Sequence, residues 1–178
     1  MNKRIVIVAA FAAIGAASSA YAAGPVTANT TANAVIVAPQ QLTATRNLDF
    51  GTIAKPFTGV STITVAPTGA ATQTPTIAGG NAFVPIPGQA HAAVFHMLGT
   101  NGQTYTIQQP SLSFGAAAGN LSNIATSFLV SSTNSASTTG ALPANGQDDL
   151  FVGGQFDIDN VTAVQTYSGT VSVTVVFN

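Results

Sequence analysis

The residues able to do acid–base or metal chemistry are few: His91, His96 and five aspartates, with no glutamate and no cysteine. A zinc site needs three or four ligands. His91 and His96 are five positions apart, which on a strand puts them on opposite faces, with Asp149 or Asp157 as distant partners. They read as surface or hairpin histidines. Asp157-Ile158-Asp159-Asn160 resembles the opening of a calcium loop but lacks the glycine and closing glutamate such loops use, so it reads as a polar strand end. Serine is plentiful, yet no G-x-S-x-G elbow is present, and no spacing suggests a Ser-His-Asp triad. Paired glycosidase carboxylates would have to come from Asp148 or Asp149 with Asp157, on residue type alone. Neither Gly79-Gly80 nor Gly153-Gly154 is followed by a lysine or a helix start, so neither is a phosphate loop. The expectation is a protein that is not an enzyme, with no cofactor, no metal site and no catalytic residue.

With so little chemistry available, function has to be sought in the elements themselves. Residues 1–22 have the layout of a secretory signal: Lys3 and Arg4, an apolar stretch over 5–17, and Ala20-Tyr21-Ala22 as the cleavage site. The apolar stretch is shorter than the roughly 20 residues that span a bilayer, and no later segment reaches that length, so no transmembrane segment is expected in the mature form. Removing 1–22 from 178 leaves 156 residues, enough for one domain with a substantial core. The remaining charges are Arg46 and Lys55 against the five aspartates, a balance of −3. Nucleic acid is therefore not a partner, because phosphate binding needs clustered Lys and Arg. Charged residues make up 5% of the chain, where an ordinary domain has about 25%. That leaves Thr, Ser, Asn, Gln, Ala and Gly to cover the surface. With no cysteine, strand pairing and burial must supply the stability.

Short β-branched and aromatic runs recur between Gly, Pro, Asn and Thr clusters, and no helical period is sustained. Eleven strands are predicted, over 34–37, 41–45, 60–65, 74–77, 93–98, 104–108, 111–114, 126–131, 149–152, 155–158 and 169–177. The fold class is all-β, a β-sandwich. Asn101-Gly102 and Gly153-Gly154 read as tight hairpins, Pro67-Thr68-Gly69 and Gly79-Gly80-Asn81 as further reversals, and 115–120 and 131–146 as loops. In T-V-S-V-T-V-V-F-N the positions Val171, Val173, Val175 and Phe177 share one face, so the final strand is half-buried and must find sheet neighbours. It contains neither Lys nor Pro, the residues that usually guard an exposed edge.

Residues 33–53 read N-A-V-I-V-A-P-Q-Q-L-T-A-T-R-N-L-D-F-G-T-I. Further along come T-I-T-V-A-P-T-G at 62–69, Y-T-I at 105–107, F-V-G-G at 151–154 and Y-S-G-T-V-S-V-T-V at 167–175. Together these resemble a family of exported bacterial proteins catalogued only as a domain of unknown function. The L-x-F-G near the start and the Y-x-x-T-V-x-V-T-V close are also similar to the spore coat protein U and archaic chaperone–usher pilin group, with Phe177 matching an aromatic next-to-last residue. That resemblance implies an immunoglobulin-like (pilin-like) sandwich left incomplete, its groove filled by the N-terminal extension of the next subunit. It also implies a periplasmic chaperone and an outer-membrane usher as partners.

The leader at 24–38 carries no charge. Its alternate positions Ala28, Thr30, Ala32, Ala34 and Ile36 are small or apolar, which suits a donor strand, although the same segment could equally be the first strand of its own sandwich. The expected organisation is a signal peptide at 1–22, an extension at 23–38 and a sandwich domain at 39–178. The expected function is a structural subunit of a surface filament, exported through the periplasm and homopolymerising by strand donation. Its subunit interface would comprise the five leader positions with Val171, Val173, Val175 and Phe177. One alternative is a monomeric secreted or periplasmic binding module using the loops at 115–120 and 131–146. Another is a small outer-membrane barrel, which meets no aromatic girdle and few charges for a polar lumen.

Overall fold

A computed structural model describes residues 27–115 and 121–178. The signal reading at 1–22 and most of the 115–120 loop lie outside the described residues. The chain divides into two units, Met1–Val35 and Ile36–Asn178. In the first, described residues 27–35 carry no strand. In the second, no helix occurs among the described residues, and nine strands follow in order: β1 Gln41–Arg46, β2 Ser61–Val65, β3 Thr76–Ala78, β4 Ala93–Leu98, β5 Thr104–Phe114, β6 Ser122–Val130, β7 Thr139–Ala141, β8 Gln147–Ile158 and β9 Gly169–Phe177. All pairings are antiparallel.

The twelve-residue β8 organises the larger, six-stranded sheet. Along one side it pairs with β6, from Ser122↔Asp157 to Val130↔Leu150. Along the other it pairs first with β4, Leu98↔Gln147 to Ala93↔Val152, and then with β2, Val65↔Gly154 to Ser61↔Ile158. Outside these lie β1 against β4 and β3 against β2. The smaller sheet has the order β7-β5-β9. Period-two alternation puts Leu150 and Val152 of β8 and Met97 of β4 on the face that meets Tyr105 and Ile107 of β5, all of them buried. A second cluster is built on Ile63, Phe156 and Ile158. There the rings of Phe50, Phe114 and Phe156 meet edge to face, with centroids 4.8 Å and 5.4 Å from Phe156. Two antiparallel sheets closing on one apolar interior make a β-sandwich.

Five expectations are corrected. Gly153-Gly154 is no hairpin: the runs at 149–152 and 155–158 are one strand, and the glycines sit at its centre. A Cβ on Gly153 would collide with the Val65 carbonyl oxygen, where residues 65–67 cross the sheet, and one on Gly154 would lie 3.0 Å from Leu48. The pair marks close approach by other parts of the chain, a second meaning that Gly has inside a strand. Asn101-Gly102 does form a turn, with Gln103 N–H donating to the Thr100 carbonyl at 3.0 Å. It joins strands of different sheets, however, so β4 and β5 are not a hairpin. Finally, 34–37 is not a strand, whereas 131–146, read as a loop, contains β7. The runs at 104–108 and 111–114 also merge into β5, with a register shift between Gln108 and Ser111 beside Pro110, which has no N–H to give the ladder.

The start of β8 carries a buried carboxylate. Asp148 accepts from Ser132 N–H (3.0 Å), Ser132 Oγ and its neighbour Asp149 N–H (2.9 Å), and the Tyr105 hydroxyl also bonds to it. These bonds tie the end of β6 and the middle of the smaller sheet to β8. Burial first, then the Asp148 charge and hydrogen bond, push the Tyr105 phenol up to about 12. The native state therefore holds a proton that the unfolded chain releases near pH 10, so this contribution to stability is complete below that pH and is lost as pH rises through about 12.

Gly153→Ala should destabilise the fold by roughly 2–4 kcal/mol, because the obstacle is backbone that cannot turn aside; denaturant unfolding measures it. Asp148→Ala should lose roughly 1–3 kcal/mol, as it leaves the hydroxyl of buried Tyr105 without its acceptor. In Tyr105→Phe the tyrosinate absorbance that develops near pH 12 should disappear, together with that component of alkaline unfolding.

Candidate functional site

The final strand has a neighbour on one side only. β9 pairs with β5, from Phe177↔Tyr105 to Gly169↔Phe114, and ends the order of its sheet. The Asn178 N–H donates to the Thr104 carbonyl at 2.9 Å, and the Gly115 N–H to the Ser168 carbonyl at 3.1 Å. Even-numbered residues of β9 therefore turn their backbone groups toward β5, and antiparallel alternation turns those of Val171, Val173, Val175 and Phe177 to the outer edge. The side chains of these same four residues pack on the core cluster and are half-buried. No described strand pairs with that edge.

The opposite lip belongs to the larger sheet. β1 is its edge beyond β4, and Leu42, Leu48 and Phe95 pack on the core from that side, again half-buried. The L-D-F-G segment spans the two core clusters. Leu48 packs on the first and Phe50 on the second, while between them Asp49 exchanges backbone bonds with His91 (2.9 Å each way) and its carboxylate takes the Gly51 N–H at 2.7 Å. Gly51 supplies the positive φ of +70° that this reversal needs. Arg46 anchors the lip by donating Nε–H to the Ala92 carbonyl at 2.9 Å.

Between the lips lies a cleft of about 1490 Å³, with Ala44, Leu48 and Phe95 on one wall and Leu112, Thr170 and Val171 on the other. Small-molecule sites run to roughly 300–1,000 Å³. Of β9, Gly169, Thr170 and Val171 line it, so the cleft opens beside the start of that strand.

Of the interface positions read from sequence, Val171, Val173, Val175 and Phe177 come together on this edge. Ala28, Thr30, Ala32 and Ala34 fall in the first unit and Ile36 in the second; all five are exposed and none is in a strand. Ile36 is 94% exposed. Sequence reasoning missed Leu42, Leu48, Phe95 and Phe50. The period-two pattern of Q-L-T-A-T-R and the apolar pair in L-D-F-G were the signals for three of them.

The polar residues serve the fold. His96 is not remote from Asp149: they are cross-strand partners on β4 and β8, with Nδ1 2.8 Å from the carboxylate. The pair borders a shallow pocket of about 280 Å³ near Ser131 and Asn145. His91 Nδ1 lies 2.8 Å from the Asn47 carbonyl. Asp157 takes the Thr62 hydroxyl at 2.6 Å. Asp159 accepts from the Thr162 hydroxyl and from the Val161 and Thr162 N–H groups, and the Thr162 bond leads in holding its carboxyl below the usual range. Among the described residues no three His, Cys, Asp or Glu side chains gather as a metal site would require, and no helix is long and apolar enough to cross a membrane.

No curated protein and no solved structure matches the chain. A family model does, over residues 40–177, which takes in every strand from β1 to β9. On that match the chain belongs to the family described as Domain of unknown function (DUF4402).

Proposed function

We propose that this protein is a pilin-like structural subunit, exported to the cell surface, that assembles head to tail when the leader of one copy adds a strand to β9 of the next. On this reading the sandwich is immunoglobulin-like in the manner of the spore coat protein U and chaperone–usher pilin group, and a periplasmic chaperone and outer-membrane usher handle the subunit before assembly. The observation that carries the reading is the β9 edge. Four residues there present free backbone groups outward and half-buried apolar side chains inward, and a cleft opens beside the start of the strand.

The energetics are adequate. Four outward residues offer up to eight backbone hydrogen bonds, each worth about 0.5–1.5 kcal/mol net. Completing the burial of the seven side chains on the two lips adds roughly 0.5–1 kcal/mol apiece at ~25 cal/mol per Å². The small leader side chains then matter less, because much of the apolar area gained belongs to the acceptor. A monomeric binding module would use the loops at 115–120 and 131–146, of which the second is held down by β7, buried Leu142 and the Ser132–Asp148 bonds.

Deleting residues 24–33 should abolish fibres in electron micrographs of the secreted protein, and undiminished fibres would rule the donor role out. Val173→Pro removes an N–H that faces the open edge, so the fold should survive while polymerisation stops. Thr174→Pro, one residue along, takes a ladder bond to β5 and should instead lower thermal stability. Fibres from Val173→Pro equal to those of the unaltered chain would show that the edge is not used.

A further inference from the structure

The two ends of the sandwich differ, and that difference fixes how copies must meet. At the near end, β1 begins at Gln41 opposite Leu98, the Ala38 N–H donates to Thr100 Oγ1 at 3.2 Å, and β9 finishes with Asn178 bound to Thr104. The leader therefore departs from the end where β9 stops. At the far end, β9 starts at Gly169 opposite Phe114, and three segments are fastened together. Lys55 Nζ donates to the Asn160 and Thr162 carbonyls at 3.0 and 3.2 Å, Ala54 exchanges backbone bonds with Phe83, and the Phe57 N–H donates to Asn81 Oδ1 at 2.7 Å. These segments leave large apolar side chains in the open: Phe57 is 80% exposed, Phe83 53%, Val161 67% and Val164 86%. Val164 also lines the far end of the cleft. Isolated exposed apolar residues are ordinary, but four on segments tied to one another form a patch.

Suppose residues 28–36 occupy the edge of a neighbour's β9, which is also nine residues long. Run parallel to β9, residue 36 would end at the acceptor's near end, where the acceptor's own leader departs; since each copy in a filament both gives and receives a leader, its one near end would have to meet two neighbours at once. Run antiparallel, residue 36 ends beside Gly169, at the far end. Residues 37–40 then remain before β1 begins at Gln41, and four residues reach at most about 14 Å. The donor's near end is thereby held against the acceptor's far end, with Val37 and Pro39 crossing the patch.

We infer that the far-end patch of Phe57, Phe83, Val161 and Val164 is a second contact between copies of this chain. It is covered by residues 37–40 and the 100–103 and 143–146 loops of the subunit whose leader is inserted antiparallel to β9. The inference rests on the strand-donation reading and adds to it a direction and a docking face.

The chain has no cysteine, so engineered pairs report without background. In the full chain, Asn101→Cys with Val164→Cys, both at exposed positions, should give a ladder of disulfide-linked multimers on mild oxidation. Asn101→Cys alone should give no dimer. Phe57→Ser with Val164→Asp should leave the circular dichroism spectrum unchanged and raise the concentration needed for polymerisation by at least about tenfold. Dimers from Asn101→Cys alone would mean near-to-near contact and overturn the inference. No ladder, with the Phe57→Ser/Val164→Asp variant polymerising normally while Val173→Pro remains blocked, would overturn the docking face and leave strand donation standing. Normal polymerisation of Val173→Pro would overturn both.

Discussion

Every backbone amide in a sheet needs a partner, and the fold turns on how unequally that requirement is met by β8 and β9. β8 is paired on both sides along most of its twelve residues, with β6 on one flank and β4 then β2 on the other. Placing two strands end to end along one flank makes the chain cross the sheet at residues 65–67, and only glycine at position 153 leaves room for that crossing. β9 has the same apolar alternation but one partner. A sandwich saturated at β8 and open along the β9 margin follows from those two pairings.

The local pattern of strands was written in the sequence, and the way they pair was not. Val171, Val173, Val175 and Phe177 declare a half-buried strand by alternation alone, and they lie on the core as that alternation requires. β4 matches its expected bounds, and β1, β2 and β9 differ by a residue at most, because Gly, Pro and Asn clusters bracket short β-branched runs there. Glycine is where the reading failed. Gly153-Gly154 has the composition of a turn, and what distinguishes it from one is the Val65 carbonyl and the Leu48 side chain overhead, contacts that span more than eighty residues of sequence. The run at 34–37 erred the other way: A-V-I-V has high β-propensity, yet propensity expresses itself only where a neighbouring strand exists. The proximity of His96 to Asp149 was hidden for the same reason, since it depends on the register between β4 and β8.

The open margin also gives meaning to a scarcity of charge. Soluble sheet proteins usually protect a free edge with lysine, proline, a bulge or a covering loop. β9 contains neither Lys nor Pro, and Lys55 is spent on carbonyls at the far end. A base or acid on β9 would hinder the approach of another strand. Its absence is a property of the one stretch of surface where a charge would most hinder pairing. An edge that is long, apolar and undefended is a hazard in a protein meant to stay alone and a requirement in one built to be joined. What separates the two is whether a matching strand is always at hand, and on the strand-donation reading proposed above the uncharged leader at 24–38, longer than the nine residues of β9, is that strand.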